Sequence, residues 1–265
     1  MLYIRINKIV LFLLIFFLSG FFISNCGIYL FKSVGYDNMM GAFNGADNNF
    51  AFYENPALIE SKKSYMSYYN KYSMSELNTA LISQSYQIKF LNFGIYLLHF
   101  QKRPYKEEEY GLVLSKEVFD SFKIGINLKY LRNVIFDQNY YGFSYDIGGY
   151  YGYKNHNFGI SFKNVEKPYL AERVNMDFIF KYSYIRDFYR INFRYVKIYS
   201  LYEYYLIGCE FDLSEKLKLS YSLVTEKNEN RIGIKFDIKR YLLDIGYIVH
   251  PGLKNYFIAG IGVKW

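Results

Sequence analysis

From about residue 64 onward, apolar and polar side chains alternate with a period of two, and this constrains the fold more than any other feature. In 229–238, Ile232, Ile234, Phe236 and Ile238 fall on one face, while Arg231, Gly233, Lys235 and Asp237 fall on the other. In 174–184, Val174, Met176, Phe178, Phe180, Tyr182 and Tyr184 oppose Asn175, Asp177, Ile179, Lys181 and Ser183. Successive residues of a strand point to opposite faces, so such a run reads as a strand with one apolar and one polar side. No apolar stripe at helical spacing stands out after residue 60. About 14 segments follow the pattern, most of them about 9–12 residues long, the length a tilted membrane-crossing strand needs. The segments near 68, 81 and 194 alternate poorly. All four prolines (Pro56, Pro104, Pro168 and Pro251) fall between segments or at their ends, as befits a residue with no N–H for the ladder.

A soluble sandwich would alternate too, but three features favour a barrel in lipid. Whole charges sit in mid-strand on the polar faces: Asp177, Lys181, Arg190, Arg194, Glu210, Lys235 and Asp237, all expected to face a lumen. Connections are expected to be long at 101–107, 133–140 and 164–173, and short at 118–121, 154–156, 185–188, 213–215 and 239–240, the asymmetry of outer-membrane barrels. The last segment carries Phe257, Ala259, Ile261, Val263 and Trp265 on one face. Phe257 and Trp265 are expected to act as a signal to the barrel-assembly machinery. Hydrophobic residues make up 52% of the chain, yet mean hydropathy is only −0.07, so apolar residues are interleaved rather than blocked. Lipid offers no hydrogen bonds, and only a closed sheet satisfies every strand edge there. The expected fold is all-β: a transmembrane antiparallel up-and-down β-barrel of about 14 strands, preceded by a short N-terminal hatch segment.

Residues 1–25 read as an export signal. Arg5 and Lys8 precede the apolar run Ile9 to Leu18, and Ser19, Gly20 and Ser24 supply small residues near a cleavage point. An uncleaved anchor helix is the alternative. Cys26 follows Ile23-Ser24-Asn25, a loose lipoprotein box, so lipidation at Cys26 is a further expectation. The domains are then 1–25 signal peptide, 26–63 hatch, and 64–265 barrel.

Chemistry is sparse. The net charge of +8 comes from single, scattered Lys and Arg, with no nucleic-acid module. Two cysteines, Cys26 and Cys209, and three histidines, His99, His156 and His250, show no ligand spacing. No nucleophile elbow, phosphate loop or zinc-protease motif is present in the sequence. Neither an enzyme, a metal, a cofactor nor a nucleic-acid partner is expected.

Residues 39–59 carry the most distinctive string: Met39-Met40-Gly41-Ala42-Phe43-Asn44-Gly45-Ala46-Asp47-Asn48-Asn49-Phe50-Ala51-Phe52-Tyr53-Glu54-Asn55-Pro56-Ala57-Leu58-Ile59. Gly41 and Gly45 permit tight turns, and Asn55-Pro56 sets an extended entry into a turn. The string, with Asn55-Pro56-Ala57 closest and Asp47 in place of an acidic pair, resembles the hatch of the long-chain fatty-acid outer-membrane transporter superfamily (FadL-like). It is also similar to the PorV/PorQ barrels associated with type IX secretion. The resemblance implies a 14-stranded barrel in the bacterial outer membrane, plugged by its N-terminal segment and passing small hydrophobic ligands. Alternatively it implies a scaffold that holds secretion-system proteins, and a purely structural barrel is a third reading. On any of these, the surrounding partner is outer-membrane lipid.

Overall fold

The computed structural model describes residues 50–60, 62–70, 73, 77–102, 104–170, 172–199, 202–225 and 228–265. They form one closed, antiparallel 14-strand barrel. Its wall consists of β1 (Lys63–Asn70), β2 (Asn78–Ile88), β3 (Leu91–Lys102), β4 (Tyr105–Phe119), β5 (Phe122–Ile135), β6 (Gln138–Tyr153) and β7 (His156–Lys163), continued after an excursion by further strands. That excursion is the hairpin β8 (Tyr169–Leu170) and β9 (Glu172–Arg173). The wall then resumes with β10 (Asp177–Arg186), β11 (Tyr189–Ile198), β12 (Tyr202–Ser214), β13 (Leu217–Val224), β14 (Glu229–Ile238), β15 (Tyr241–Val249) and β16 (Tyr256–Lys264). Sequential strands are neighbours, β10 pairs with β7 across the hairpin, and β16 closes on β1 from Lys63↔Lys264 to Tyr69↔Ile258.

One end of the barrel carries only two-residue turns, at 89–90, 120–121, 154–155, 187–188, 215–216 and 239–240. The other end carries the longer connections, the largest being 164–176 with its hairpin. The long loops expected at 101–107 and 133–140 do not exist. There the strands continue, and the connections shrink to 103–104 and 136–137. Phe136 and Asp137 both adopt left-handed φ, 46° and 68°, the geometry of a tight primed hairpin turn without its usual Asn-Gly. As a result β4, β5 and β6 run 15, 14 and 16 residues and stand taller than the rest of the wall.

The outer surface is layered. A belt of exposed aliphatic side chains circles the middle, including Met66, Ile82, Ile95, Leu128, Ile160, Ile207, Ile234 and Ile261. At the loop end, aromatic rings meet across strands. Tyr247 stacks near Phe257 (4.7 Å between centroids), Phe162 near Phe178 (5.2 Å) and Tyr195 near Tyr205 (5.3 Å). A second aromatic band marks the short-turn end. There Trp265 meets Tyr86 edge-on at 4.9 Å, its indole N–H donates to Ser64 Oγ at 3.2 Å, and Tyr86 stacks on Phe93 at 5.1 Å. An aliphatic belt between aromatic girdles is the surface a bilayer selects, because amphipathic rings are favoured at headgroup depth. Among the described residues, no helix is long and apolar enough to cross a membrane.

Candidate functional site: the inner segment and the lumen

Residues 50–60 lie inside the barrel, and nearly all of them are buried. Helix α1 (Ala51–Glu54) is a single turn, and a 3-10 turn follows at Pro56–Leu58. Asn55 joins the two: its side-chain carbonyl accepts the Ala57 N–H at 3.0 Å, and Pro56 opens the 3-10 turn. Its amide nitrogen donates to the Gly149 carbonyl at 2.8 Å and the Ile160 carbonyl at 3.3 Å. Ser115 Oγ donates to the Ala57 carbonyl at 3.1 Å, and Ser161 Oγ to the Glu54 carbonyl at 2.7 Å. A segment with few backbone bonds of its own is thereby satisfied by the wall.

The wall is shaved to receive it. Gly125 and Gly148 face each other across β5 and β6 on the inner surface. A Cβ on Gly125 would stand 2.3 Å from the Pro56 carbonyl carbon, and one on Gly148 2.1 Å from Asn55 Oδ1. At Gly125 backbone therefore lies directly on backbone, and at Gly148 the Asn55 side chain lies directly on backbone, approaches that only glycine permits.

Two polar clusters on adjoining stretches of wall anchor the segment. Glu54 forms ion pairs with Arg194 of β11 and Lys181 of β10, deep in the barrel. Lys181 and Arg194 are direct cross-strand partners, so Glu54 bridges two like groups whose charges would otherwise face each other without an anion between them. In the second cluster, Tyr53 donates to Glu109 (3.1 Å), which also accepts from Tyr96 (2.5 Å). The Tyr96 hydroxyl in turn accepts from Asn127 (2.8 Å), which donates to Asp146 (2.9 Å), and Asp146 pairs with Lys129 at 2.5 Å. Lys163 lies over the Tyr53 ring, 3.9 Å from its centroid.

All seven strand charges expected in the lumen turn inward. Lys181 and Arg194 bind Glu54; Arg190 pairs with Glu210 at 3.4 Å; Asp237 pairs with Lys264 near the short-turn mouth. Asp177 and Lys235 are also buried on inner faces. Asn55, Pro56 and Ala57 belong to the inner segment, whereas Cys26, Gly41, Gly45 and Asp47 lie outside the described residues. Phe257 and Trp265 face outward at opposite ends of β16, one in each girdle. Glu54, Tyr53, Glu109 and the wall glycines were not singled out from the sequence.

The lumen is not uniformly polar. Towards the loop end the inner face is mostly apolar, with Tyr69, Leu81, Leu98, Ile179, Val196, Tyr204, Leu206, Val224, Ile248, Tyr256 and Ile258 forming one buried cluster. Phe50, Phe52, Tyr53 and Ile59 of the inner segment join it, with Phe50 edge-on to Tyr65 at 4.6 Å. Charges at this level are paired, as in Glu229–Arg231 at 2.6 Å. The inner face of the loop side is therefore lined by a buried apolar cluster, and Glu54 and its two cations lie at the foot of it.

No protein-family model matches the sequence, and no curated protein matches it. Solved structures do. The CymD monoaromatic hydrocarbon channel aligns with TM-score 0.61 at 9% identity over 86% of this chain and 98% of its own. The toluene transporter TodX of Pseudomonas putida gives 0.62 at 8% identity over 82% of this chain and 94% of its own. A FadL homologue of Pseudomonas aeruginosa gives 0.57 at 8% identity over 91% of this chain and 100% of its own. These similar proteins are channels and transporters, not enzymes. With its closed 14-strand wall and a segment folded into the lumen, this chain has the fold of the FadL-like barrels.

Proposed function

We propose that the protein is a bacterial outer-membrane channel for small hydrophobic molecules, closed at rest by its inner segment. The observation that carries this reading is the apolar lining of the loop-side lumen. A general porin keeps a polar, water-filled interior, whereas here the loop-side lining is aliphatic and aromatic. An apolar solute leaving water gains roughly 25 cal/mol per Å² of surface buried against such a lining. The two girdles and the aliphatic belt support placement in a bilayer, with the loop end outward and the assembly machinery acting on the last strand. The hydrocarbons named for CymD and TodX suggest the substrate class, and the inner segment, tied to the wall by Glu54 and Asn55, is the element that must move.

The test is flux into liposomes carrying the full-length protein, with toluene and a fatty acid as solutes. Uptake well above protein-free liposomes is expected for at least one of them. Uptake equal to protein-free liposomes for both, with correctly inserted barrel, would overturn the reading.

A further inference from the structure

The top of β6 rises out of the closed wall. β7 pairs with β6 only from Ile147 to Tyr153, and β7 ends at Lys163, opposite Asp177 of β10. β5 pairs with β6 from Gln138 to Tyr151 without a register shift. Over 138–146, then, β6 has a neighbouring strand on one edge only among the described residues. At the foot of the other edge the Tyr145 carbonyl accepts the Val165 N–H at 3.0 Å. In an antiparallel sheet, residues whose backbone groups face one neighbour alternate with those that face the other. Phe143 and Tyr141 therefore turn both N–H and C=O to the same side as Tyr145, and among the described residues no strand meets them there.

A bare edge is a template for another chain, and proteins commonly blunt it with a charge, a proline or a bulge. Residues 138–145 read Gln-Asn-Tyr-Tyr-Gly-Phe-Ser-Tyr, with none of these. The edge is also held in shape from both faces. On the inner face the β8–β9 hairpin backs Gly142, where a Cβ would stand 3.0 Å from Pro168 Cβ and 3.2 Å from Leu170 Cδ2. On the outer face Tyr130 packs against Tyr141 (6.0 Å between centroids) and Phe143 (5.2 Å), and both of these rings stay exposed. Hydrocarbon does not tolerate bare backbone, which sets this edge at or beyond the headgroups of the loop-side leaflet.

A second copy does not fit the edge. Copies in one membrane are related by an axis along its normal, so their β6 strands run the same way and, each tilted about 35–45°, cross instead of aligning. An antiparallel ladder between them needs one copy upside down.

We propose that the 141–143 edge of β6 captures an extended peptide segment of another protein, which adds to the wall as an antiparallel strand with apolar side chains beside Tyr141 and Phe143. The peptide backbone supplies the partners that the edge lacks, and the aromatic rings select the side chains. The site lies on the edge of the wall and does not depend on transport through the lumen.

The test is fluorescence binding and hydrogen exchange on the full-length protein in lipid nanodiscs, with labelled acetyl-Thr-Val-Thr-Val-Thr-Val-Thr as the probe. Saturable binding is expected, with exchange at the Tyr141 and Phe143 amides slowed roughly tenfold or more and exchange in β14 unchanged. N-methylation of the valines, whose N–H groups face β6, should weaken binding about tenfold, whereas N-methylation of the threonines, whose N–H groups face away, should not. Tyr141→Pro removes one edge donor without touching the β5 ladder and should weaken binding about tenfold, while Tyr141→Phe should keep it. Folding of each variant is read from heat-modifiable migration on a gel. No saturable binding, or equal binding of the two methylated peptides, would overturn the proposal. So would Tyr141 and Phe143 amides already protected without peptide, since this chain would then fill its own edge, or protection that grows with protein concentration, since the occupant would then be a second copy.

Discussion

The carboxylate of Glu54 meets the guanidinium of Arg194 across 140 positions of sequence, and both side chains are sealed from solvent. The pair joins the short inner segment to the barrel wall. Its third member, Lys181, makes the arrangement asymmetric, with one anion for two cations. Breaking a buried ion pair by removing one partner costs about 3–5 kcal/mol, because the other charge is left buried. Glu54→Gln should therefore weaken the hold on the inner segment while the strand ladder stays intact. In single-channel recordings the variant should show openings absent from the wild type. Quiet traces indistinguishable from wild type would mean the segment is held by its other contacts.

The glycine windows test the same segment from the wall. A valine at Gly125 would drive its Cβ into the Pro56 backbone, and one at Gly148 into Asn55. Neither change touches the outer surface, so the barrel should still insert. Gly125→Val should raise conductance and expose the segment to added protease. If protease sensitivity and conductance stay at wild-type levels, the segment does not need that contact.

Much of the wall was legible in the sequence, because lipid outside and polar side chains inside write a period of two into β5, β10, β13 and β14. The poorly alternating stretches near 68, 81 and 194 are strands all the same, and their inner faces explain the weak signal. Tyr69 follows Tyr68, Leu81 precedes Ile82, and Val196 follows Tyr195, because the inner face is apolar here as well. The missing loops at 103–104 and 136–137 were hidden by turn chemistry: Phe136-Asp137 bears none of the Gly or Asn signals that a left-handed turn favours. The motif Asn55-Pro56-Ala57 was visible, but Glu54 beside it was not. A clue existed in the register, since Lys181 opposite Arg194 on an inner face demands an anion from elsewhere.

Register on the lipid side gives a third prediction. Ile234 is exposed in the aliphatic belt, Phe178 belongs to the loop-end girdle, and Ser220 is buried on the inner face. Arg at Ile234 should destabilise the folded barrel by about 2–4 kcal/mol, and Arg at Phe178 by only about 0–1 kcal/mol, following depth in the bilayer. Urea-dependent folding into vesicles measures both. An equal cost at the two sites would contradict the assignment of belt and girdle.

The turn at Phe136-Asp137 is a fourth point of leverage. Left-handed backbone costs a bulky residue about 1–2 kcal/mol, and Phe136 spends its side chain in solvent at 75% exposure. Phe136→Asn with Asp137→Gly suits the turn, and should stabilise the β5–β6 hairpin by about 1 kcal/mol. Hydrogen exchange at Val134 and Asn139 should slow accordingly. Faster exchange there would show that Phe136 makes a contact that outweighs the backbone strain.

The apolar inner cluster supplies the last prediction, which separates a passage from a mere filling. Leu206 points inward with no exposed surface, beside Arg194, while its neighbour Ile207 points outward and is half exposed. Leu206→Asn puts an amide into the apolar cluster next to Arg194, where a polar group left unsatisfied costs about 1–3 kcal/mol. An apolar solute moving through that level then meets a polar wall, and hydrocarbon flux should fall roughly tenfold, the factor that about 1.4 kcal/mol commands. Leu206→Met conserves volume and polarity and should keep the flux. Ile207→Leu, on the lipid side, should leave it unchanged. Folding of all three is checked by heat-modifiable migration, so that loss of flux in a correctly folded Leu206→Asn barrel speaks for the route. Full flux in that variant would mean that solutes do not pass Leu206, and the apolar cluster would then be a packed core rather than the wall of a path.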